Sequence, residues 1–407
     1  MKYLKFSMKT IGLLKNTVQE YGWGSHTAIP ELLGQPASDR PQAELWMGTH
    51  PFAPSMVRYQ GGWIPLSRLI EKYPKEMLGQ SVKKKYQNKL PYLFKVLAAA
   101  KPLSLQAHPS IKQAKEGFEK ENRLGTPIGA PNRNYKDENH KPECICALTP
   151  FWALYGFRKI HDIIYLLTKI CPKGLEEELR ELKKYSNLFG LKNFFHALIT
   201  MDKKKRNRMF IEALGNAKAF SKENHIFKWI IKLHSEYPYD MGILSPAFLN
   251  LICLKPGQAM FLSEGVLHTY LEGVGIELMA NSDNVLRGGL TPKHIDVQEL
   301  LNVLHFEEIE VTILKSKKIN NCERVFLTPA EEFVLSIIEI KKGINFSSLE
   351  NRSIEIIFCT AGSATIYDVD GDKEVDLFKG TSVVIPSVMN KYMIDGSATL
   401  FKAAVPI

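Results

Sequence analysis

The feature that most constrains this chain is a change of texture in its middle. From about Lys159 to Pro238, apolar residues recur at helical spacing, as in Ile163, Ile164, Leu166 and Leu167, then Phe194 and Leu198, then Phe227, Ile230 and Ile231, with few strand signals. On either side the sequence breaks into short apolar or alternating runs set off by turn residues. Leu93 to Ala99 and Leu103 to Ala107 come before the block; Leu249 to Leu254, Ala259 to Leu262 and Gly275 to Met279 follow it. A helical block inside β-rich sequence predicts a mainly β fold with a helical insertion. At 407 residues the chain exceeds what one hydrophobic core usually serves, so two or three packed units are expected. The expected division is a first β unit made of residues 1–158 and 246–310, a helical insertion at 159–245, and an all-β C-terminal unit at 311–407.

Within these units a few local signals stand out. Leu66 to Tyr73 reads as a helix. Ser110 is placed to cap a helix over Ile111 to Glu121, and Gly125 to Asn139, rich in Gly, Pro and Asn, reads as a long loop of the kind that carries function. Asp370 and Gly371 signal a hairpin in the last unit. Lys379-Gly380 through Tyr392 echoes Pro256-Gly257 through Tyr270: a glycine opens an apolar strand, a tight turn follows, and an aromatic closes the segment. The echo predicts an internal duplication of a β-sandwich unit. In that alignment His268 falls at about Asn390, so only the first copy is expected to hold a metal.

Composition narrows the function classes. With 45% hydrophobic residues the chain can bury real cores. Met1 to Leu14 carries lysines, but its apolar residues come in bursts too short for a secretory leader, and no run approaches the roughly 20 residues that span a bilayer. A cytoplasmic protein without membrane attachment is expected. Six cysteines, Cys144, Cys146, Cys171, Cys253, Cys322 and Cys359, are scattered through apolar stretches, as reduced core thiols are. Cys144 and Cys146 form only a CxC, better explained by alternating strand positions than by a thiolate metal site. The net charge of +10 admits nucleic acid, a membrane surface or small anions as partners. The lysine runs Lys83 to Lys85 and Lys203 to Lys205 lack interleaved aromatics and read as solvated faces, which leaves small anions and disfavours nucleic acid.

The chemistry-bearing residues are far apart in sequence. Leu105-Gln106-Ala107-His108 alternates along a strand and sets Gln106 and His108 on one face. Either alone is more simply a satisfied core residue. Asn139-His140-Lys141-Pro142-Glu143 leads out of the long loop and puts a carboxylate at the mouth of a strand. In Ser263-Glu264-Gly265-Val266-Leu267-His268-Thr269-Tyr270 a glycine allows a tight turn before His268, the turn that metal-binding barrels of the cupin type use to present a ligand inward. Gln106, His108, Glu143 and His268 make a mixed N/O set that suits one catalytic Zn2+ per chain, and that also admits Fe2+ or Mn2+.

Leu103-Ser-Leu-Gln-Ala-His-Pro109, His140-Lys-Pro-Glu143, Gly265-Val-Leu-His-Thr-Tyr270, and Asn281-Ser-Asp-Asn-Val-Leu-Arg287 with Thr291-Pro-Lys293 occur in order. Together with Tyr21-Gly-Trp-Gly24 and Ala43-Glu-Leu-Trp-Met-Gly-Thr-His50, they resemble the type I mannose-6-phosphate isomerase family over most of Tyr21 to Leu304. The family's usual Tyr-Ala-Trp-Gly stands here as Tyr-Gly-Trp-Gly. The resemblance implies two cupin or jelly-roll units with only the first catalytic, zinc on Gln106, His108, Glu143 and His268, and Arg287 as an essential cation.

It also implies a sugar-phosphate substrate, an enediol route between an aldose and a ketose, and a monomer. The proton carrier stays open among Lys141, Asp283, Glu277 and His140, with Lys141 and Asp283 favoured and His140 assisting ring opening. A plainer reading has Asp283 and Glu277 pair with Arg287 or Lys293. Ser104, Lys95, Arg287 and Lys293 are candidates for the phosphate, with Tyr270 beside the substrate, although Lys95 could instead extend from a strand edge. A cupin-type oxygenase and a non-catalytic sugar-phosphate binder are the rival readings.

Overall fold

The computed structural model of the chain describes residues 10–222, 224–370 and 374–407. Two antiparallel sheets and one helical block make up the described residues. The first sheet has ten strands in the order Leu249–Leu254, Phe151–Phe157, His268–Ala280, Tyr92–Ala99, Glu44–Gly48 and Thr17–Gln19. Alongside these run Ala259–Leu262, Glu143–Ala147, Leu105–Ala107 and Leu286–Gly289. His268–Ala280 is its hub. The first part of that strand pairs with Phe151–Phe157 and with Gln106; after an irregularity between Tyr270 and Glu272 the rest pairs with Tyr92–Ala99 and Glu143–Ala147. A bulge bends a strand and lets it serve two neighbourhoods of a curved sheet.

Tyr92–Ala99 is buried at every position, as a strand covered on both faces must be, so Lys95 within it needs compensating charge. In Glu143–Ala147 the pleat separates the faces. Ile145 and Ala147 pack with Tyr270 and Phe151 inside the first barrel, while Cys144 and Cys146 join the core between the two sheets. The CxC is therefore two alternate strand positions. Burial pushes the Cys144 thiol far up and the Cys146 thiol up to about 12.

The helical block comprises Ile160–Ile170, Glu176–Lys184, Leu188–Ile199, Lys203–Phe220 and His225–Glu236. It sits between Phe151–Phe157 and Leu249–Leu254, which pair with each other, so it is an elaborated connection between neighbouring strands. Side chains of Asn187, Asp202 and Asn224 accept from first-turn amides and start three of these helices. Ile163, Leu167, Phe194, Leu198, Phe227 and Ile230 form one core with Leu105, Ala107, Phe157 and Leu267 of the sheet. No helix is long and apolar enough to cross a membrane among the described residues.

The second sheet has eleven strands, ordered Ser316–Lys318, Glu323–Phe326, Val334–Ile340, Tyr392–Ala404, Glu355–Asp368, Ser382–Ile385, Gly12–Lys15, Met56–Tyr59 and Gly62–Pro65, with Phe346–Ser347 and Glu374–Phe378 attached. The three strands from the start of the chain cross the boundary expected at residue 311. Gly12 pairs with Val384 and Leu13 with Val383, which covers an edge that would otherwise stand open. Local periodicity carries no information about so distant a partner. One core, with Phe94, Val96 and Cys144 on one side and Phe333, Ile356 and Phe401 on the other, joins the sheets.

The echo between the units has a structural counterpart. Gly257 at φ 81 and Gly380 at φ 89 precede four-residue strands, and each is followed by a strand of 13 residues, His268–Ala280 or Tyr392–Ala404. Asn390, the residue that falls near His268 in the sequence alignment, lies exposed two residues before its strand opens at Tyr392 and donates to Asp370 Oδ2 at 2.8 Å. The turn expected at Asp370 and Gly371 includes Gly371, outside the described residues, as do residues 1–9; the strands flanking that turn pair antiparallel.

Candidate metal centre

Three buried side chains converge at the inner end of the first barrel. His108 follows Leu105–Ala107, Glu143 opens its strand, and His268 opens the hub strand; their ligand atoms all lie within 4.8 Å of one another. His108 Nε2 is 3.3 Å from Glu143 Oε1, and His268 Nε2 is 3.6 Å from Glu143 Oε2. The opposite ring nitrogens fix the tautomers. His108 Nδ1 donates to the Asn284 carbonyl at 2.8 Å, and His268 Nδ1 donates to the Val266 carbonyl at 2.9 Å. Both Nε2 atoms are thereby left with lone pairs aimed at a carboxylate.

His108 Nε2, His268 Nε2 and Glu143 Oε2 are fully buried and without a hydrogen-bond partner among the described residues. Burial, then the Lys141 charge, pushes the His108 imidazole down to about 4, so it is neutral near pH 7. Burial opposes ionisation of Glu143, yet the Lys141 charge outweighs it and holds the carboxyl well below the ordinary range. Two imidazole nitrogens and a carboxylate, all acceptors, face one point. Only a cation satisfies them together, and this N/N/O set fits zinc. Gln106 lies opposite His268 in one strand pair and opposite Arg287 in another, so the three share a sheet face. Gly265 sets the turn: it adopts φ +71, and a Cβ there would lie 2.6 Å from the His305 ring.

Around this centre the charges form separate sets. Lys141 Nζ is 3.1 Å from Glu143 Oε1. Lys95 Nζ is 3.1 Å from Glu277 and 3.7 Å from Glu44, whose carboxylate also accepts from Trp46 Nε1 at 2.6 Å. Burial disfavours the Lys95 ammonium, but Glu44 and Glu277 outweigh it and hold the amine charged. Lys95 is therefore not an edge residue: it stands on an interior strand between two carboxylates that neutralise it. Burial raises the Glu277 carboxyl, opposed by Lys95 and reinforced by Glu143 and Glu44. Tyr270 is buried beside these groups and its hydroxyl has no partner. Ser104, half-buried, stands just before Leu105–Ala107.

Asp283 pairs with His50 Nε2 at 3.2 Å, not with Arg287 or Lys293. Burial opposes its ionisation, but His50, Lys141 and Lys136 outweigh it and hold the carboxyl below its usual value. His140 is likewise turned away from the three ligands. Its Nδ1 is 3.3 Å from Glu264 and its Nε2 is 2.8 Å from Glu332 in the C-terminal part of the chain. Arg287 is half-buried, and burial alone lowers its guanidinium; no carboxylate among the described residues offsets it. Lys293 is lowered by burial and by the charges of Arg287 and Lys136.

A cavity of about 730 Å3 reaches this region, with His50, Asp283, Ser282, Lys136, Asp137 and Phe52 in its wall. Another of about 500 Å3, between the sheets beside Arg324 and Phe401, touches none of the metal-facing residues. Sequence reading missed His50, Glu44, Lys136 and Asn284. The signal for the first two lay in Ala43 to His50, where polar side chains punctuate a strand that is buried throughout.

A buried two-histidine, one-carboxylate centre in a bent antiparallel barrel defines a metal-binding protein of the cupin class. A model of the family "phosphomannose isomerase type I, catalytic domain" matches residues 11–160, and one of the "mannose-6-phosphate isomerase, cupin domain" matches residues 323–405. The mannose-6-phosphate isomerase of Escherichia coli (strain K12) is 38% identical over 390 residues, covering 95% of this chain and 97% of its own length. That of Homo sapiens is 37% identical over 323 residues, 72% of each chain. A crystal structure of zinc-bound mannose 6-phosphate isomerase superposes with a TM-score of 0.90 at 37% identity, covering 98% of this chain and 100% of the other. A point variant of the Salmonella typhimurium phosphomannose isomerase gives the same values. The chain belongs to the type I phosphomannose isomerase family.

Proposed function

We infer that this chain is a zinc-dependent aldose–ketose isomerase that interconverts mannose 6-phosphate and fructose 6-phosphate through an enediol. The observation that carries the reading is the buried trio of unpartnered acceptor atoms on His108, His268 and Glu143, beside a guanidinium with no carboxylate of its own. Those three residues hold the ion, with Gln106 on the same sheet face as a fourth donor. When bound, zinc supplies Lewis acidity toward the sugar oxygens.

The reaction removes the proton on C2 beside the C1 aldehyde and returns one to C1. Asp283 is assigned as the base. It is held ionised, lines the cavity, and is oriented by the Nε2 hydrogen of His50. Glu277 is too deeply enclosed to reach substrate and serves to fix Lys95. Lys141 keeps Glu143 anionic and, with Arg287, offsets the charge that develops on the enediolate oxygens. Arg287, Lys293 and Lys136 form a cationic group suited to the phosphate dianion, with Ser104 as a hydroxyl donor and Tyr270 closing the far wall.

The enzyme works on a small sugar phosphate in the cytoplasm, as a monomer. Residues 1–158 and 246–310 build the catalytic unit, 159–245 its helical insertion and 311–407 the brace beneath it. Asp283→Asn tests the proton role: kcat should fall roughly 10²- to 10⁴-fold with zinc content unchanged. Wild-type turnover in that variant would transfer the role to another group.

A further inference from the structure

Asn284 is completely buried, and both ends of its side-chain amide are engaged by one stretch of the 124–142 loop. Its Oδ1 accepts from the Lys136 amide at 2.7 Å and from the Asp137 amide at 3.2 Å. Its Nδ2 donates to the Asp137 carbonyl at 2.8 Å and the Asn139 carbonyl at 2.9 Å. No other side chain of this size offers two acceptances and two donations in one plane. The Asp137 carboxylate returns the contact, accepting from Ser282 Oγ at 2.8 Å and from the Asp283 amide at 2.8 Å.

The main chain of the same residue faces the other way. The Asn284 carbonyl is the acceptor that fixes the His108 tautomer, at 2.8 Å. Loop and metal ligand are thus held by two ends of one residue, in a turn closed by the Asn284 amide on Ser282 Oγ. Releasing the side chain frees the peptide to rotate, and with it the carbonyl that aims His108.

Building on the zinc reading above, we propose that Asn284 is a positioning residue that couples the 124–142 loop to the metal centre, so that zinc orders Lys136 and Asp137 and the loop in turn tightens zinc. The two effects are reciprocal, because coupling between two binding equilibria acts equally in both directions. Lys136 belongs to the phosphate group and Asp283 hangs on Asp137, so the same clamp sets the substrate side of the site when the ion is bound.

The test compares amide hydrogen exchange in the wild-type protein with and without zinc. The Lys136 and Asp137 amides, which Asn284 accepts, should exchange at least tenfold faster in the metal-free form. The Asn134 and Tyr135 amides, which the Glu121 carboxylate accepts at 2.9 and 2.8 Å, should keep their protection. In chelator competition Asn284→Ala should weaken zinc roughly 10- to 100-fold. Tyr135→Phe, which frees the same loop from Glu299, should leave the zinc constant unchanged. Equal exchange in the two forms, loosening of all four amides together, or wild-type zinc affinity in Asn284→Ala would overturn the coupling while leaving the metal centre intact. A wild-type protein that takes up no zinc would overturn both.

Discussion

The protons on His108 and His268 are committed to carbonyls, and that commitment gives the site its chemistry. With each Nδ1 hydrogen on a main-chain oxygen, the Nε2 atoms and Glu143 repel one another unless a cation lies between them. Glu143→Ala or His268→Ala should abolish bound zinc and activity while circular dichroism shows the fold retained; metal analysis of the purified variants checks this. Full metal content in either would remove that residue from the ligand set. Arg287→Ala removes no ligand and should keep zinc, yet lose kcat/KM roughly 10²- to 10³-fold, as loss of a charge-stabilising donor does. Steady-state kinetics on the zinc-loaded variant decide it. Lys95 and Arg287, both read as cations for the phosphate, differ because one has two carboxylates beside it and the other has none.

At the level of elements, the strands and helices that frame the site were legible because their signals are local. Alternation along Leu105 to Ala107, the glycine before His268, the Ser110 cap and the helical spacing after Ile160 each depend on residues a few positions apart. Partnerships were not legible. His50 meets Asp283 across 233 residues of sequence, and His140 meets Glu332 across 192, distances over which no periodicity carries information. The His140 contact joins the loop end to the C-terminal unit and titrates. Burial opposes the imidazolium, but Glu332 and then Glu264 outweigh it and raise the folded value above 6.5. Glu332 is lowered below 4.5 by His140 despite burial. The His140 contribution is therefore complete below pH 6.5 and disappears as pH rises through the raised value; that of Glu332 is present above 4.5 and disappears on acidification through the lowered one. The stability difference between wild type and His140→Gln, from denaturant unfolding, should be greatest between pH 4.5 and 6.5 and shrink above that window. A difference that stays flat into the alkaline range would show that His140 carries no charge in this contact.

For the whole molecule, the two β units act as one body. A shared core and the N-terminal strands in the second sheet tie that sheet to the one that carries the metal-facing group. The echo in sequence has its counterpart in two 13-residue strands, one opened by His268 of the metal-facing group and the other by Tyr392. The second sheet packs against the first, and through Glu332 it reaches the loop that carries Lys136 and Lys141. The central claim, a single metal in the first barrel that drives isomerisation of a sugar phosphate, comes down to one coupled assay of fructose 6-phosphate formation from mannose 6-phosphate. Activity should disappear when a chelator strips the protein and return when stoichiometric zinc is restored. Full activity in protein shown by metal analysis to be free of zinc and other divalent ions would contradict it.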